Sequence, residues 1–144
     1  MRDKEERLNA LQQICVQFGV AALYAFGSRA ERVSHWFTGE LFCLESSPSD
    51  VDIGVKAMGG ITWSVTEKVR LAVTLEELLQ CPRVDLVVLD EADPFVAAEV
   101  IRGERLFARE QSVADEYDLY VLRRAGDLAP LEKARMALVL GETE

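Results

Sequence analysis

The sequence contains few of the residues from which metal–thiolate sites and disulfide frameworks are built. Its three cysteines, Cys15, Cys43 and Cys81, lie far apart, and His35 is the only histidine. Neither their number nor their spacing matches a zinc site or a disulfide-stabilised fold. Cysteine usage of this kind is typical of a reducing compartment, so we expect a cytoplasmic protein.

Long apolar runs are also missing. Every apolar run is far shorter than the roughly 20 residues that a transmembrane helix requires. Residues 1–10 are largely charged and contain no apolar segment of the kind found in secretory signals. We therefore expect neither a membrane span nor a signal peptide.

Basic residues are in the minority. The chain has 16 Lys and Arg against 25 Asp and Glu, a net charge of −9. Nucleic-acid binding depends chiefly on Lys and Arg contacts with phosphates, so direct binding of nucleic acid is not expected. An acidic surface favours a basic protein partner, although solubility explains it equally well. The 144 residues, 49% of them hydrophobic, are sufficient for a single domain spanning 1–144.

The spacing of apolar residues predicts alternating helices and strands. Helices are expected at 3–18, 63–80 and 94–102, and strands at 20–26, 50–56, 83–89 and, as a short edge strand, 106–107. A helical C-terminal tail is expected at 112–141, with a break or kink between Gly126 and Pro130. This tail is a candidate docking element.

Residues 33–48 interrupt the predicted pattern of helices and strands. Two apolar segments flank Thr38-Gly39, a pair that resembles a two-residue turn, so we predict a hairpin insertion. Its large apolar residues are Trp36, Phe37, Leu41 and Phe42. Either these side chains cover the domain's own core, or they form an exposed patch that receives a partner or a second copy of the chain.

Residues that can bind a cation or a phosphate lie in or directly after three of the predicted strands. Gly27-Ser28 ends the first strand, where glycine permits a sharp turn and a close approach of another group. Asp50 and Asp52 lie two residues apart in the next strand and so project from the same face. Asp85 lies in a third strand and joins them if the two strands are neighbours. Adjacent carboxylates repel each other unless a cation lies between them, and oxygen-rich sites suit magnesium.

These residues resemble the minimal nucleotidyltransferase family of the DNA polymerase β-like superfamily. The matching segments are FGSRA at 26–30, SDVDIGV at 49–55 and VDLVVLD at 84–90. Two departures are visible: the interval at 29–49 is longer than is usual in the family, and Glu31 stands where glycine is common. The resemblance implies an α+β fold in which a small mixed β-sheet has helices packed on one side.

The resemblance also implies a reaction, the transfer of a nucleoside monophosphate from a nucleoside triphosphate with release of pyrophosphate. It assigns catalysis and the binding of two Mg²⁺ ions to Asp50, Asp52 and Asp85, with ATP as the expected substrate. Gly27 and Ser28 would offer donors to the phosphates, and Arg29 would add positive charge there.

Small members of this family resemble antitoxins that are paired with a HEPN-type ribonuclease toxin. The resemblance therefore implies a protein adenylyltransferase that attaches AMP to a tyrosine of its toxin partner. Two alternatives stay open: a catalytically vestigial antitoxin that masks its partner stoichiometrically, and a nucleotidyltransferase that modifies a small-molecule acceptor. A homodimer is also compatible with the sequence.

Overall fold

A computed structural model describes residues 3–39 and 50–141 of the chain. The helices are α1 (Lys4–Phe18), α2 (Ala30–Phe37), α3 (Val65–Leu79), α4 (Pro94–Ile101) and α5 (Gln111–Val139). The strands are β1 (Val20–Phe26), β2 (Val51–Ala57), β3 (Val84–Val88) and β4 (Glu104–Ala108). A short 3-10 turn at Gly27–Arg29 connects β1 to α2.

Local sequence signals define where several helices begin. Asp3 caps α1 by accepting a hydrogen bond from the Glu6 amide at 2.9 Å. Ser64 and Glu67 form a reciprocal capping box at the start of α3. Asp93 caps α4, and Pro94 occupies the first helical position, where its missing N–H costs nothing. Polar side chains thus satisfy amides that the helices themselves leave without a partner.

The four strands form one mixed sheet in the order β3-β2-β1-β4. β1 is antiparallel to both β2 and β4, whereas β2 and β3 are parallel. Parallel neighbours need a crossover connection, and α3 provides it. The predicted α+β class and mixed sheet are confirmed.

Both faces of the sheet are covered by helices. Leu23 and Ile53 lie in a core formed with α1, α2 and α3, whereas Tyr24 on the opposite face packs with α4 and α5. The expectation of helices on one side therefore holds only for α1–α3. The reason is that β1 is apolar on both faces, and Gly54 in β2 leaves room for Val100 of α4 to contact the sheet.

The hairpin predicted at 33–48 is wrong for its first part, because residues 30–37 are helical. Val33, Trp36 and Phe37 recur at helical spacing and are buried in the core. Gly39, with φ of 84°, lies in the turn that follows the helix rather than in a hairpin turn. Trp36 and Phe37 therefore cover the domain's own core. Leu41, Phe42 and the rest of the predicted insertion lie in 40–49, outside the described residues.

The C-terminal helix α5 runs without interruption from Gln111 to Val139 and includes Pro130. The break expected at 126–130 does not occur. An internal proline removes one helical hydrogen bond, and the remaining turns on either side are retained. Within 3–39 and 50–141, no helix has the combination of length and apolar character that crossing a membrane would need.

The close approach of α4 to the sheet can be tested with Gly54→Ala. A Cβ at this position would lie 2.3 Å from Cγ1 of the fully buried Val100. Because a buried valine has little freedom to move, we expect a loss of about 1–3 kcal/mol in the free energy of unfolding, measured by urea denaturation.

Gly126→Ala is the matched control for this prediction. Gly126 lies within α5, and a Cβ there would meet no atom within 4 Å. We expect this variant to gain up to about 1 kcal/mol, because alanine is the better helix former. Equal effects of the two substitutions would contradict close packing at Gly54.

Candidate active site

The three predicted carboxylates lie on one face of the sheet. In the parallel pairing of β2 and β3, Asp52 is directly opposite Asp85. Val51 and Ile53, which alternate with the aspartates, are buried in the core on the other face. Asp50, immediately before β2, therefore shares the face of Asp52. The structure thus brings Asp85 beside Asp50 and Asp52, which the sequence pattern could place together only on the condition that the two strands are neighbours.

A guanidinium group lies among these carboxylates. Arg83 Nε is 3.5 Å from Asp50 Oδ2, and Arg83 Nη2 is 3.7 Å from Asp85 Oδ1. The backbone sets this position, because the Val51 amide donates a hydrogen bond of 3.1 Å to the Arg83 carbonyl. The cluster thus consists of three acids and one base on two adjacent strands. No sequence pattern identified Arg83 as a site residue.

The carboxylates influence one another electrostatically. Burial, together with the neighbouring Asp85 and Asp50 carboxylates, raises the pKa of Asp52 above its usual range. Among residues 3–39 and 50–141, no three acidic, histidine or cysteine side chains converge closely enough to form a ready-made metal site. The donor set nevertheless fits magnesium, because it consists of carboxylate oxygens, and those of Asp50 and Asp85 already contact a positive group.

Gly27 brings the end of β1 against the carboxylate cluster. Its φ is 76°, and a Cβ on it would lie 2.4 Å from Asp52 Oδ2. Phe26, just before it, pairs directly with Asp52 across the antiparallel ladder. Only glycine permits both this backbone conformation and this approach. The exposed Ser28 follows at once, so the predicted Gly-Ser corner and Asp52 are neighbours.

A cleft of about 350 Å³ opens at the Gly27-Ser28 corner. Its other walls include Glu99 and Arg102 of the α4 end, which the sequence analysis did not identify. No sequence signal indicated them, because their position depends on how α4 docks onto the sheet. Among the described residues that line this cleft, Arg102 is the cationic side chain, and Glu31, Glu99 and Glu104 are acidic.

Arg29 does not join this cleft. Its side chain is only 6% exposed. Among the described residues, the lining of the cleft includes Gly27 and Ser28 but not Arg29.

A second, more apolar cavity of about 300 Å³ lies where α5 passes over β1 and β2. Ala22, Lys56 and Tyr117 are among its lining residues. None of the predicted site residues borders it, and the Lys56 ammonium is already bound by Asp90 at 2.6 Å. The chemistry of the carboxylate cluster is therefore located elsewhere.

Comparison with protein families gives a match over residues 9–112 to the family described as "Polymerase beta, Nucleotidyltransferase". This segment contains the Gly27-Ser28 corner and all three aspartates. A comparison with curated proteins gave no match.

Several solved structures share the fold. A chain from a crystal structure of a toxin–antitoxin with AMP-PNP is 20% identical, with a TM-score of 0.69 over 92% of this chain and 98% of that one. A chain from the complex of a tri-AMPylated Shewanella oneidensis HEPN toxin with an MNT antitoxin is 19% identical, with a TM-score of 0.66 over 95% and 98%. A candidate minimal nucleotidyltransferase is 28% identical, with a TM-score of 0.50 over 72% and 94%.

The electrostatic strain at Asp52 predicts a pH-dependent effect of Asp52→Asn. A raised pKa means that the folded state holds this proton more tightly than the unfolded chain, so ionisation costs stability as pH rises above about 4. We expect the variant to become more stable than the wild type as pH rises through the folded-state pKa of Asp52, and the difference to vanish at low pH.

The measurement is a set of denaturation curves of both proteins from about pH 3 to about pH 8, a span that begins below the usual carboxyl pKa of about 4 and ends well above it. Asp127→Asn, at an exposed position of α5, is the matched control and should give a difference that does not follow this pattern. A wild type more stable than Asp52→Asn at neutral pH would contradict the interpretation.

Proposed function

The chain belongs to the polymerase β nucleotidyltransferase family, and from this premise we propose that it transfers AMP from ATP to a HEPN-type toxin protein. The observation that carries the proposal is the cluster of Asp50, Asp52 and Asp85 on one sheet face beside the Gly27-Ser28 corner. Support for the acceptor comes from the Shewanella oneidensis complex, in which a HEPN toxin is AMPylated. Support for ATP comes from the related structure with AMP-PNP.

We assign the binding of magnesium to Asp50, Asp52 and Asp85. Two ions are proposed, held by carboxylate oxygens of the kind that magnesium prefers. When bound, the metal would stabilise charge on the phosphoryl oxygens and lower the pKa of an attacking hydroxyl group. The residues' own contribution is to gather negative charge at a single edge of the sheet.

The three acids differ in exposure, and the difference supports different roles. The Asp85 side chain is 53% exposed and the Asp50 side chain 34%. Asp52 lies between Asp85 and the Gly27 backbone, within reach of the phosphate corner. We therefore propose that Asp50 and Asp52 serve the triphosphate, and that the outward Asp85 serves the acceptor hydroxyl.

The phosphate site is proposed at Gly27 and Ser28. Both residues are exposed and line the 350 Å³ cleft, where the Ser28 hydroxyl and nearby amides can donate to phosphate oxygens. Arg102 on the opposite wall supplies the positive charge that was expected from Arg29. Arg29 is left out of this site because its side chain is buried.

We expect Asp50→Asn and Asp52→Asn each to reduce AMP transfer by roughly 100- to 1,000-fold, because metal stabilisation of the transferred group contributes several kcal/mol. The assay uses α-labelled ATP, magnesium and a purified HEPN-type toxin protein. Asp127→Asn should retain full transfer.

The same assay distinguishes the alternatives. Labelling of the toxin supports the proposal. If the wild type transfers no label yet suppresses the toxin at a one-to-one ratio, the chain is a masking antitoxin. If labelled AMP is transferred only to a small molecule, the proposal of a protein acceptor is wrong.

Asp85→Asn should separate chemistry from binding. We expect transfer to fall as in the other variants, while the calorimetric affinity for AMP-PNP with magnesium changes by no more than about threefold, since Asp85 is proposed to act on the acceptor hydroxyl. A loss of affinity equal to that of Asp52→Asn would assign Asp85 to the triphosphate metal instead.

A further inference from the structure

We propose that Arg83 competes with the divalent metal for the carboxylates of Asp50 and Asp85, and thereby sets the metal affinity of the site. This inference rests on the proposed metal role of the three aspartates. It makes Arg83 a residue that regulates access to the site rather than one that touches the reacting atoms.

Arg83 lies against two of the three carboxylates that are proposed to hold the metal. Its guanidinium contacts Asp50 at 3.5 Å on one strand and Asp85 at 3.7 Å on the next, so a single cation bridges β2 and β3. The Arg83 carbonyl is fixed by the Val51 amide, and residues 83 and 85 share a face of β3. The backbone therefore holds the Arg83 side chain next to the carboxylates of Asp50 and Asp85.

The contacts of Arg83 are weak enough to be exchanged. Its side chain is 68% exposed, and both distances exceed those of a close charged hydrogen bond. Ion pairs of this exposure contribute little and are screened by salt. Arg83 can therefore leave for solvent without disturbing the core. A metal and a guanidinium would repel each other at the same oxygens, so binding of one disfavours the other.

A merely structural ion pair and a competing cation predict different results for Arg83→Gln. In both cases the variant is less stable in EDTA, because three repelling carboxylates lose their counter-charge. Competition also predicts that the same variant binds metal more tightly, because the oxygens of Asp50 and Asp85 no longer have to release a guanidinium group. We expect the dissociation constant for Mn²⁺, measured from the EPR signal of the free ion, to fall about three- to tenfold.

Two further variants sharpen the measurement. Arg70→Gln removes the same charge from an exposed position of α3, on the opposite side of the sheet, and should leave Mn²⁺ affinity within about twofold of the wild type. Arg83→Lys retains the positive charge and should bind Mn²⁺ more weakly than Arg83→Gln.

The outcomes separate this inference from the proposed function. If the wild type binds Mn²⁺, Asp52→Asn does not, and Arg83→Gln matches the wild type, then competition by Arg83 is wrong while the metal site stands. If the wild type binds no Mn²⁺ at about 1 mM, the metal site and the competition by Arg83 are both overturned. Tighter binding by Arg83→Gln together with lower stability in EDTA supports the competition.

Discussion

The alternation of apolar and acidic residues along β2 and β3 is the constraint on which the arrangement of the site depends. Parallel pairing of β2 with β3 places Asp52 opposite Asp85, and β-strand alternation adds Asp50 to the same face. A slip of one residue would turn these acids toward the core formed with α1–α3, so the apolar residues between them fix the register. The packing of the core and the position of the charges are therefore specified by the same alternation.

Two glycines allow the neighbouring elements to approach the carboxylate-bearing face closely. Gly27 lets the end of β1 come against Asp52, and Gly54 lets Val100 of α4 approach the middle of the sheet. As α4 docks there, its last turn brings Glu99 and Arg102 to the Gly27-Ser28 corner. The helix that covers the carboxylate-bearing face thus also forms a wall of the cleft, while the edge with Asp85 is left exposed.

Sequence reasoning succeeded where the signal was local and periodic. The apolar pattern identified the strands and the common face of Asp50 and Asp52. It failed at Thr38-Gly39, because a glycine after a helix and a glycine in a hairpin turn look alike without knowledge of helical contacts upstream. The burial of Arg29 was not predicted for a related reason: whether a charged side chain is buried depends on tertiary packing, which a single sequence does not reveal.

The loss of folding stability caused by these adjacent charges helps to distinguish a catalytic function from a purely binding one. Burial and two neighbouring acids raise the pKa of Asp52, so its ionised form opposes folding at neutral pH. A module that acted only by covering a partner would gain stability by replacing Asp52 with a neutral residue, and nothing in such a role would require the acid. A site that must attract a cation and exchange it during a reaction does require it. The unfavourable charge cluster, in which the exposed Arg83 contacts Asp50 and Asp85, therefore favours chemistry over stoichiometric masking.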